Sequence, residues 1–525
     1  MQTASVRKLP VGIQTFSKIR EEDYVYVDKT DSMWKLANGP SQFVYLSRPR
    51  RFGKTLLVST LQSYFEGRKE LFEGLKIMEM ETEWQPRPVI RLDMSKAGET
   101  AADLRSFFET AFGELEEKYG VSKEPDASLP SRLHEIIIAA HKSSGQKVAI
   151  IVDEYDYSLQ HTWGTPEHEK CASLYRSVFT TVKAEDEHIR FVFITGITKF
   201  TQISLFSAFN NLVNVSFKVD YEDICGISQD ELESDFVPEI EMFAQKNKCT
   251  RDEALKRLKE NYDGYHFSDE FEKDIYNPFS LINALDNRKI SSYWVASGAS
   301  TLIAKFVKDA EIRLREFDGC RISSDVIETS DVFVGGPEVF LYQSGYLTIK
   351  GFRNGVYTLG FPNKEVRQAL YKTVLPILSM RVENNTQSAQ GILQSDLIDG
   401  ILPEAMDALK SLIADVPYSN KKLASMDMEE RYRLIISTIL NAIGLNVEVE
   451  HMLSTGRIDV VASTSQITYV IELKLQKNGG LESAAKQIMD NNYLEPFRGA
   501  GRKVIGVAIE LDDLGKGMTG WKEVC

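Results

Sequence analysis

The residues best suited to phosphate chemistry lie in one short basic segment, residues 47–55, which reads SRPRRFGKT. An apolar run, residues 42–46, precedes it, and a helix-like run, residues 56–61, follows it. Strand, loop and helix in this order form a phosphate cradle, because the loop N–H groups and the helix N-terminus attract anions. The loop residues predicted to bind a nucleotide are Arg50, Arg51, Phe52, Gly53, Lys54 and Thr55.

Two of these side chains have distinct expected roles. Lys54 would contact the β- and γ-phosphates, and Thr55 would help to hold Mg²⁺. The loop departs from the general pattern G-x-x-x-x-G-K-[ST] at its first glycine, whose position is occupied by Arg48. Taken alone, the segment could equally be a basic turn between a strand and a helix, so the choice depends on a second motif.

That second motif is DEYD, residues 153–156, at the end of the apolar run KVAIIV. The run has the composition of a central parallel strand, whose C-terminal end points into the crevice where an α/β sheet binds its ligand. Asp153 is therefore predicted to hold Mg²⁺ through water, and Glu154 to orient or deprotonate the attacking water. The alternative is a solvated turn whose charges cap the next helix.

Another apolar run, residues 190–196, predicts a further buried strand that ends close to Thr195 and Thr198. Either threonine could be a sensor of the γ-phosphate, and either could instead cap the next turn. Apolar runs that begin near residues 42, 88 and 148 precede this one and alternate with helical stretches. The sequence therefore predicts a parallel, doubly wound sheet of the α/β class.

A second candidate site lies in the last hundred or so residues. Asp459 lies in GRIDVVA, and Glu472 and Lys474 lie in TYVIELKL, both of which are predicted strands. Residues two apart share one face of a strand, and a charged pair on an otherwise apolar strand needs partners. Asp459 and Glu472 form a hard-oxygen site for Mg²⁺, and Lys474 could position the attacking water. The alternative is a surface salt bridge between Lys474 and an acid.

The first 380 or so residues resemble the AAA-ATPase-like proteins, whose loop reads RPRRFGK[ST] and whose second motif reads DEYD. Similar segments also occur at residues 27–30, 194–200, 276–281, 342–350 and 361–367, which read VDKT, ITGITKF, YNPFSL, YQSGYLTIK and FPNKEVR. The resemblance implies a P-loop domain that binds ATP and Mg²⁺. It also accounts for Arg48, which is typical of this family, and members often carry a nuclease-like domain at the C-terminus.

The last hundred residues resemble the core of the PD-(D/E)xK nucleases. The resemblance rests on a glutamate-bearing helix with Glu430, on Asp459, on the Glu-x-Lys strand and on Gln487 in the following helix. It departs from the name of the superfamily at Ile458, which replaces proline. The catalytic set that the resemblance implies is Glu430, Asp459, Glu472, Lys474 and Gln487.

Composition limits the partners of this chain. The 525 residues carry a net charge of −14, so no global positive field attracts nucleic acid or an anionic membrane, and any nucleic-acid contact must be a local patch. Five dispersed cysteines without a CxxC pair predict free thiols in a reducing cytosol. The N-terminus lacks an apolar signal segment and no apolar run could span a membrane, so we expect a cytoplasmic protein. Whether it forms a homo-oligomer is left open.

The sequence predicts four segments. They are a P-loop domain at 1–220, a helical lid with a small α+β module at 221–384, a linker with helices at 385–424, and a nuclease-like α/β domain at 425–525. A winged helix is one form that the α+β module could take. The first functional hypothesis is an ATPase whose nucleotide domain regulates a Mg²⁺-dependent nuclease. The second is a nucleotide-gated switch or scaffold whose nuclease-like domain binds without cutting.

Overall fold

The computed structural model describes residues 7–122, 126–199, 212–270, 273–294, 317–329, 335–379, 384–414, 416, 426–499 and 501–524. Contacts within the chain separate two compact units. The first consists of Met1–Ser297 and Leu314–Asn363, and the second consists of Gly298–Arg313 and Lys364–Cys525. The sequence predicts four segments, whereas the contacts divide the predicted segment 221–384 after Asn363.

A five-stranded parallel sheet forms the centre of the first unit. Its strands are β1 (Phe43–Ser47), β2 (Val89–Asp93), β3 (Val148–Asp153), β4 (Ile189–Gly196) and β5 (Val213–Asn214), in the order β2-β3-β4-β1-β5. All neighbouring strands pair in parallel, which confirms the predicted α/β sheet. Only β5 was not expected, because two residues are too short for a readable apolar pattern.

Seven helices in the described part of this unit precede or connect the strands. They are α1 (Phe16–Glu21), α2 (Thr30–Asn38), α3 (Lys54–Phe65), α4 (Ala101–Tyr119), α5 (Leu129–Ser144), α6 (Tyr157–Thr162) and α7 (Glu167–Ala184). Their ends follow ordinary capping chemistry: the Thr100 side chain caps α4 at its start, and Gly120 ends it with a left-handed φ of 69°. Among them, α5 buries Ile136 and Ile137.

A helical layer follows the sheet in the same unit. It contains α8 (Gln229–Asp235), α9 (Val237–Lys246), α10 (Arg251–Tyr262) and α11 (Pro278–Asn287), together with the short pair β6 (Ile227–Ser228) and β7 (Ile275–Tyr276). Ser228 and Thr250 start α8 and α10 through capping boxes with Glu231 and Glu253. These helices lie in the segment for which the sequence predicts a helical lid.

The small α+β module contains β8 (Cys320–Ser323), α12 (Ser324–Thr329), α13 (Gly336–Gln343), β9 (Thr348–Arg353) and β10 (Val356–Gly360). Its three strands form an antiparallel sheet in the order β8-β10-β9. Asn354 and Gly355 both have positive φ, 52° and 76°, which closes the expected hairpin. Strand, two helices and hairpin is the order of elements in a winged helix. However, α13 is largely buried, and Gln343 accepts a hydrogen bond from the backbone of Lys199 at 2.9 Å.

The second unit combines helices with a mixed sheet. Its helices are α14 (Lys364–Ser379), α15 (Asn384–Asp399), α16 (Leu402–Ala414), α17 (Met428–Ala442), α18 (Gly480–Asp490) and α19 (Glu495–Arg498). Its strands are β11 (Asn446–Leu453), β12 (Gly456–Ser463), β13 (Ile467–Leu475), β14 (Lys503–Leu511) and β15 (Met518–Val524), in sequential order. Only β13 and β14 pair in parallel.

Helices α14 and α15 belong to the core of this second unit. Gln368 donates a hydrogen bond to the carbonyl of Ala442 at 3.1 Å, and Gln394 to that of Ile443 at 2.6 Å. Tyr469 of β13 donates to the carbonyl of Leu397 at 2.7 Å. The expected linker with helices at 385–424 is therefore largely helical in its described part and contacts the rest of the unit through Gln394 and Leu397, whereas residues 415 and 417–424 lie outside the described residues.

Two expectations from composition can be compared with the described residues. Cys171, Cys225, Cys249 and Cys320 are all free, as predicted. No helix in the described part of the chain combines the length and the apolar character that crossing a membrane requires.

Candidate functional sites

The basic segment forms an open loop at the N-terminus of α3. Gly53 precedes the helix with a left-handed φ of 90°, a conformation that favours glycine. The backbone N–H groups of Arg51, Phe52 and Gly53 donate to no acceptor among the described residues. Because these unpaired donors adjoin the positive end of a helix dipole, the loop has the electrostatic character of an anion site.

Lys54 is buried within this loop. Its ammonium group donates hydrogen bonds to the carbonyls of Arg48 at 2.9 Å and Pro49 at 3.0 Å. Only 4% of the residue is exposed, so its charge is held inside the curve of the loop rather than in solvent. The placement agrees with the predicted role of Lys54 as the cation of the phosphate cradle.

Arg48, which replaces the general first glycine, anchors the loop from behind. Its buried guanidinium donates to the carbonyls of Ser216 at 2.9 Å and Tyr221 at 2.7 Å, and it lies 4.1 Å above the ring of Phe267. Burial lowers the pKa of this guanidinium, so the surrounding carbonyls are needed to solvate its charge. Arg48 therefore fastens the loop to the segment that follows β5.

The other three loop residues differ in their placement. The Phe52 side chain is fully buried and meets the rings of Tyr265 and Phe267 edge-on, so only its backbone can contact a phosphate. Arg51 is exposed and stacks on Phe279 at 4.1 Å, while Arg50 donates to Gln160 at 3.4 Å.

Asp153 ends β3 with an unsatisfied carboxylate. The residue is 1% exposed, and its Oδ1 atom has no hydrogen-bond partner in the described part of the chain. Burial raises the pKa of Asp153, whereas the charge of Lys54 and the hydroxyl of Thr55 act in the opposite direction. An orphaned carboxylate oxygen beside a threonine hydroxyl is what a Mg²⁺ ion with several waters would satisfy, so the residues fit this ion.

Glu154 occupies a strained position next to Asp153. Its φ is 50°, which is uncommon for a residue with a side chain, and it is half-buried. Burial raises the pKa of Glu154, against the opposing charge of Lys54. A carboxylate with a raised pKa is better suited to accept a proton from water, which agrees with the predicted role as a base.

The two candidate sensor threonines already have partners. Thr195 is fully buried, and its hydroxyl donates to the carbonyl of Leu46 at 2.7 Å, so the structure does not support it as a phosphate sensor. The hydroxyl of Thr198 donates to Asp156 at 2.6 Å and accepts from Gln160 at 3.3 Å. Both hydroxyl groups thus satisfy buried polar atoms at the ends of the strands, and a sensor role for either threonine stays a prediction.

Asp156, the last acid of the DEYD motif, is a residue whose role the sequence analysis missed. It is fully buried, and its Oδ2 atom also accepts hydrogen bonds from the backbone of Ile197 at 3.0 Å and from Gln160 at 2.5 Å. Gln160 is the same side chain that contacts Arg50. The signal that could have identified Asp156 was the third acid of the motif itself.

An apolar cavity of about 90 Å³ adjoins the loop. Residues from the N-terminal segment, from the start of α3 and from the helical layer form its walls. They include Tyr26, Gly53, Leu57, Ile227, Pro278 and Ile282.

The second site joins two neighbouring strands of the C-terminal sheet. The backbone N–H of Asp459 lies 3.4 Å from Glu472 Oε2, and Asp459 Oδ2 accepts a hydrogen bond from the backbone of Leu473 at 3.0 Å. Lys474 lies 3.5 Å from Glu472 Oε1. The structure thus brings Asp459, Glu472 and Lys474 together, as their spacing predicts.

Two further residues of this site were missed by the sequence analysis. Arg433 of α17 forms ion pairs with Asp459 Oδ1 at 2.9 Å and with Glu450 Oε1 at 2.7 Å. Glu450 has a left-handed φ of 55° at the place where the pairing of β11 with β12 skips the Glu450–Asp459 register. An irregular strand that re-aims an acid toward a site is typical of bulges beside functional residues. No local sequence pattern indicates these contacts, because the partners are far apart along the chain.

Two predicted catalytic residues are not brought to the site. Glu430 is exposed, whereas its neighbour Glu429 accepts hydrogen bonds from the backbone of Leu475 at 3.4 Å and from Asn478 at 2.7 Å. Glu429 therefore replaces Glu430 as the helix acid nearest the Glu-x-Lys strand, because it lies on the same helical face as Arg433, four residues later. Gln487 instead contacts the hydroxyl of Tyr493 at 3.3 Å.

The paired carboxylates are suited to a cation. Burial and the charge of Asp459 raise the pKa of Glu472 to about 8, so the pair lacks enough positive charge to keep both acids ionised at neutral pH. In the described residues, no three His, Cys, Asp or Glu side chains are grouped to hold a metal. A Mg²⁺ ion here would therefore rely on Asp459, Glu472 and water or phosphate oxygens, a donor set that the ion accepts.

Comparisons with known proteins agree with both resemblances. A family model described as "Predicted AAA-ATPase" matches residues 10–206, and one described as "PD-(D/E)XK nuclease superfamily" matches residues 427–517. The chain thus contains an AAA-ATPase-like domain and a nuclease-superfamily domain. It is 29% identical over 528 residues to an "Uncharacterized protein in vnfD 5'region" of Azotobacter chroococcum mcd 1, covering 98% of this chain and 99% of that protein.

A solved structure, the Aeropyrum pernix ORC1 protein in complex with DNA, also matches this chain. Its TM-score is 0.26 at 12% identity, and the match covers 68% of this chain and 96% of that chain.

Proposed function

We propose that this protein binds and hydrolyses ATP in its N-terminal domain and that the nucleotide state regulates a Mg²⁺-dependent nuclease in its C-terminal domain. The observation that carries the proposal is the phosphate cradle that the loop before α3 forms. Its backbone N–H groups are unpaired, it encloses the ammonium group of Lys54, and Asp153 contributes a carboxylate oxygen without a partner among the described residues. In this reading the loop binds the phosphates, and Thr55 and Asp153 hold Mg²⁺.

The apolar cavity supports the nucleotide part of the proposal. Because Gly53 belongs both to the loop and to the cavity wall, a nucleotide with its phosphates on the loop can extend its base among the apolar side chains. Glu154, whose pKa burial raises, then orients the attacking water or accepts its proton.

In the C-terminal domain, Asp459 and Glu472 hold the metal and Lys474 orients the nucleophile. When bound, Mg²⁺ acidifies water and neutralises charge on phosphate oxygens in both sites. The protein is acidic overall, so we propose that the nucleic acid is bound through a local patch, and that the protein acts in the cytoplasm. Basic side chains that pair with acids of this site include Arg433, Arg457 and Lys474.

Contacts within the first unit offer a route by which the loop could influence other elements. Gly345 approaches Pro49 so closely that an added Cβ would lie 2.5 Å from the Pro49 ring. Tyr265, which contacts Phe52, donates a hydrogen bond to the carbonyl of Gly345 at 2.9 Å. A change in the conformation of the loop would therefore shift residues of the α+β module. The last strand of this module ends three residues before Asn363, where the unit ends.

The second candidate function is a nucleotide-gated switch whose nuclease-like domain binds without cutting. The ion pair of Arg433 with Asp459 favours it, because a positive charge already occupies one metal-binding oxygen. Cleavage of single-stranded DNA, duplex DNA and RNA with Mg²⁺, with and without ATP, separates the two candidates. The first predicts cleavage that changes with ATP and is lost in Asp459→Ala, and its absence on all substrates favours the second.

A further inference from the structure

The guanidinium of Arg433 is held between two acids inside the C-terminal site. It lies 2.9 Å from Asp459 Oδ1 and 2.7 Å from Glu450 Oε1, and the residue is only 7% exposed. Its Nε atom is buried and has no hydrogen-bond partner among the described residues. Arg433 is therefore bound through its two terminal nitrogens alone, one to each acid.

Both carboxylate oxygens of Asp459 already make one contact in this arrangement, although each keeps a further lone pair. Oδ2 accepts the backbone N–H of Leu473 at 3.0 Å, and Oδ1 is paired with Arg433. A Mg²⁺ or Mn²⁺ ion needs direct contact with a carboxylate oxygen at about 2.0–2.2 Å, whereas a guanidinium in the same place repels it. The metal and Arg433 therefore compete for Oδ1.

The acids of the site have basic partners without a metal. Three acids, Asp459, Glu472 and Glu450, meet three bases, Arg433, Lys474 and Arg457, through ion pairs or direct contacts. A divalent ion that enters this cluster adds two positive charges unless a base withdraws. Of the three bases, only Arg433 is paired with the metal-binding oxygen of Asp459.

Glu450 is a second ion-pair partner of Arg433. The left-handed φ of Glu450 interrupts the β11–β12 register and directs its carboxylate to Arg433 and to Arg457, the latter at 3.0 Å. If Arg433 releases Asp459 it keeps this partner, so its charge is not left buried and unpaired. The cost of release is therefore lower than the cost of breaking an isolated buried pair.

We propose that Arg433 is an internal counter-cation that competes with the divalent metal for Asp459, and that Glu450 retains Arg433 when the metal binds. The inference deepens the proposed nuclease function, since it concerns regulation of the same site. It is nevertheless tested by metal binding, so a protein that binds metal as expected but cuts nothing would disprove the nuclease and leave this inference intact.

The test is calorimetric titration of the full chain with MnCl₂ in the absence of nucleotide. The double variant Asp459→Ala with Glu472→Ala gives the background to be subtracted. Arg433→Gln is expected to bind Mn²⁺ about tenfold more tightly than the unmodified chain, because it removes the competing charge. Glu450→Gln is expected to bind Mn²⁺ more weakly than the unmodified chain. In this variant Asp459 is the acid that remains paired with Arg433, so Arg433 releases it less readily.

The contrary outcome is equally specific. If Arg433 instead supports Asp459 as a positioning residue, Arg433→Gln should lose metal affinity by about 10–100-fold, as supporting residues of metal sites commonly do. Unchanged or weakened binding in Arg433→Gln overturns the proposal. Arg433→Met, which keeps the length of the side chain, gives the same comparison if the glutamine variant misfolds. Arg498→Gln is the matched control, since Arg498 is exposed and pairs with Glu495 rather than with an acid of this site, and the metal affinity of this variant should stay within about twofold.

Discussion

Asp156 binds Thr198 through a single carboxylate oxygen, which accepts hydrogen bonds from both the backbone N–H and the hydroxyl of Thr198 at 2.6 Å. The two residues follow β3 and β4, the neighbouring strands at the centre of the sheet. Tyr155 and Tyr45 donate to the carbonyl of the same threonine at 2.7 and 3.0 Å. The end of β4 is therefore fixed to the motif that carries Asp153 and Glu154.

Replacing Asp156 by alanine should destabilise the nucleotide domain. The change leaves several buried donors without an acceptor, which should cost at least about 2 kcal/mol. The quantity to measure is the midpoint temperature of thermal unfolding of the nucleotide domain, whose transition is identified as the one that ATP shifts to higher temperature. Asp252→Ala is the control, because Asp252 is exposed in the first turn of α10, and it should cost less than about 1 kcal/mol. Equal midpoints for the two variants would contradict the role given to Asp156.

Lys54→Ala should abolish stabilisation by ATP, because Lys54 is the lysine held inside the loop and supplies charge to the β- and γ-phosphates. The measurement is the shift of the unfolding temperature with saturating ATP. Arg51→Ala, which removes an exposed charge of the same loop, should retain most of the shift. An unchanged shift in Lys54→Ala would show that the loop does not bind phosphate in this way.

Glu154→Gln should retain ATP binding and lose turnover. The glutamine cannot accept a proton, while Thr55 and Asp153 are left to hold Mg²⁺, so the rate should fall by about 10²–10⁴-fold at a similar affinity. Binding is measured with a fluorescent ATP analogue, and turnover by phosphate release. If hydrolysis persists at the original rate, Glu154 has a structural role, for which its left-handed backbone would be the reason.

The stability of the C-terminal domain should depend on pH through Glu472. Burial raises the pKa of this acid in the folded state to about 8, above the ordinary value of 4.5 that applies when unfolded. Between these values the folded state binds the proton more tightly, so stability should fall as the pH rises from about 5 to 8. Chemical unfolding at several pH values without divalent cation measures this slope. Glu472→Gln should flatten it, and a persistent slope would implicate another group.

Regulation by nucleotide should be visible when the C-terminal unit is separated from the rest of the chain. The fragment should begin at Lys364, because Gln368 and Gln394 bond to residues at the end of α17, and a fragment that begins at 425 would lack them. We expect the full chain to change its cleavage rate with ATP and the fragment not to respond. The coupling must be reciprocal, so nucleic acid should alter ATP affinity by the same factor. Equal cleavage by fragment and full chain, with and without ATP, would exclude gating.

Much of the fold follows from local sequence, whereas parts of the sites do not. The strands β1 to β4 are continuous apolar runs, so the existence of these strands and their parallel pairing were predictable. The sequence predicts Glu430 because it lies one helical turn before Leu434, which was expected to face the core. Leu434 is only half-buried, and the structure places Glu429 rather than Glu430 against the Glu-x-Lys strand. The true phase follows Arg433, whose burial depends on Asp459 and Glu450, residues on two distant strands. Long-range ion pairs of this kind leave no periodic trace in the sequence.

The anchoring of Arg48 has a consequence for protein engineering. Consensus design would replace it by glycine, since the general phosphate-loop pattern has glycine at this position. That substitution would leave the buried carbonyls of Ser216 and Tyr221 without their donor and remove the cation above the Phe267 ring. The sequence would then match the general motif more closely, but the protein would be less stable. For the same reason, genome searches that require the first glycine overlook chains that build the same cradle with arginine.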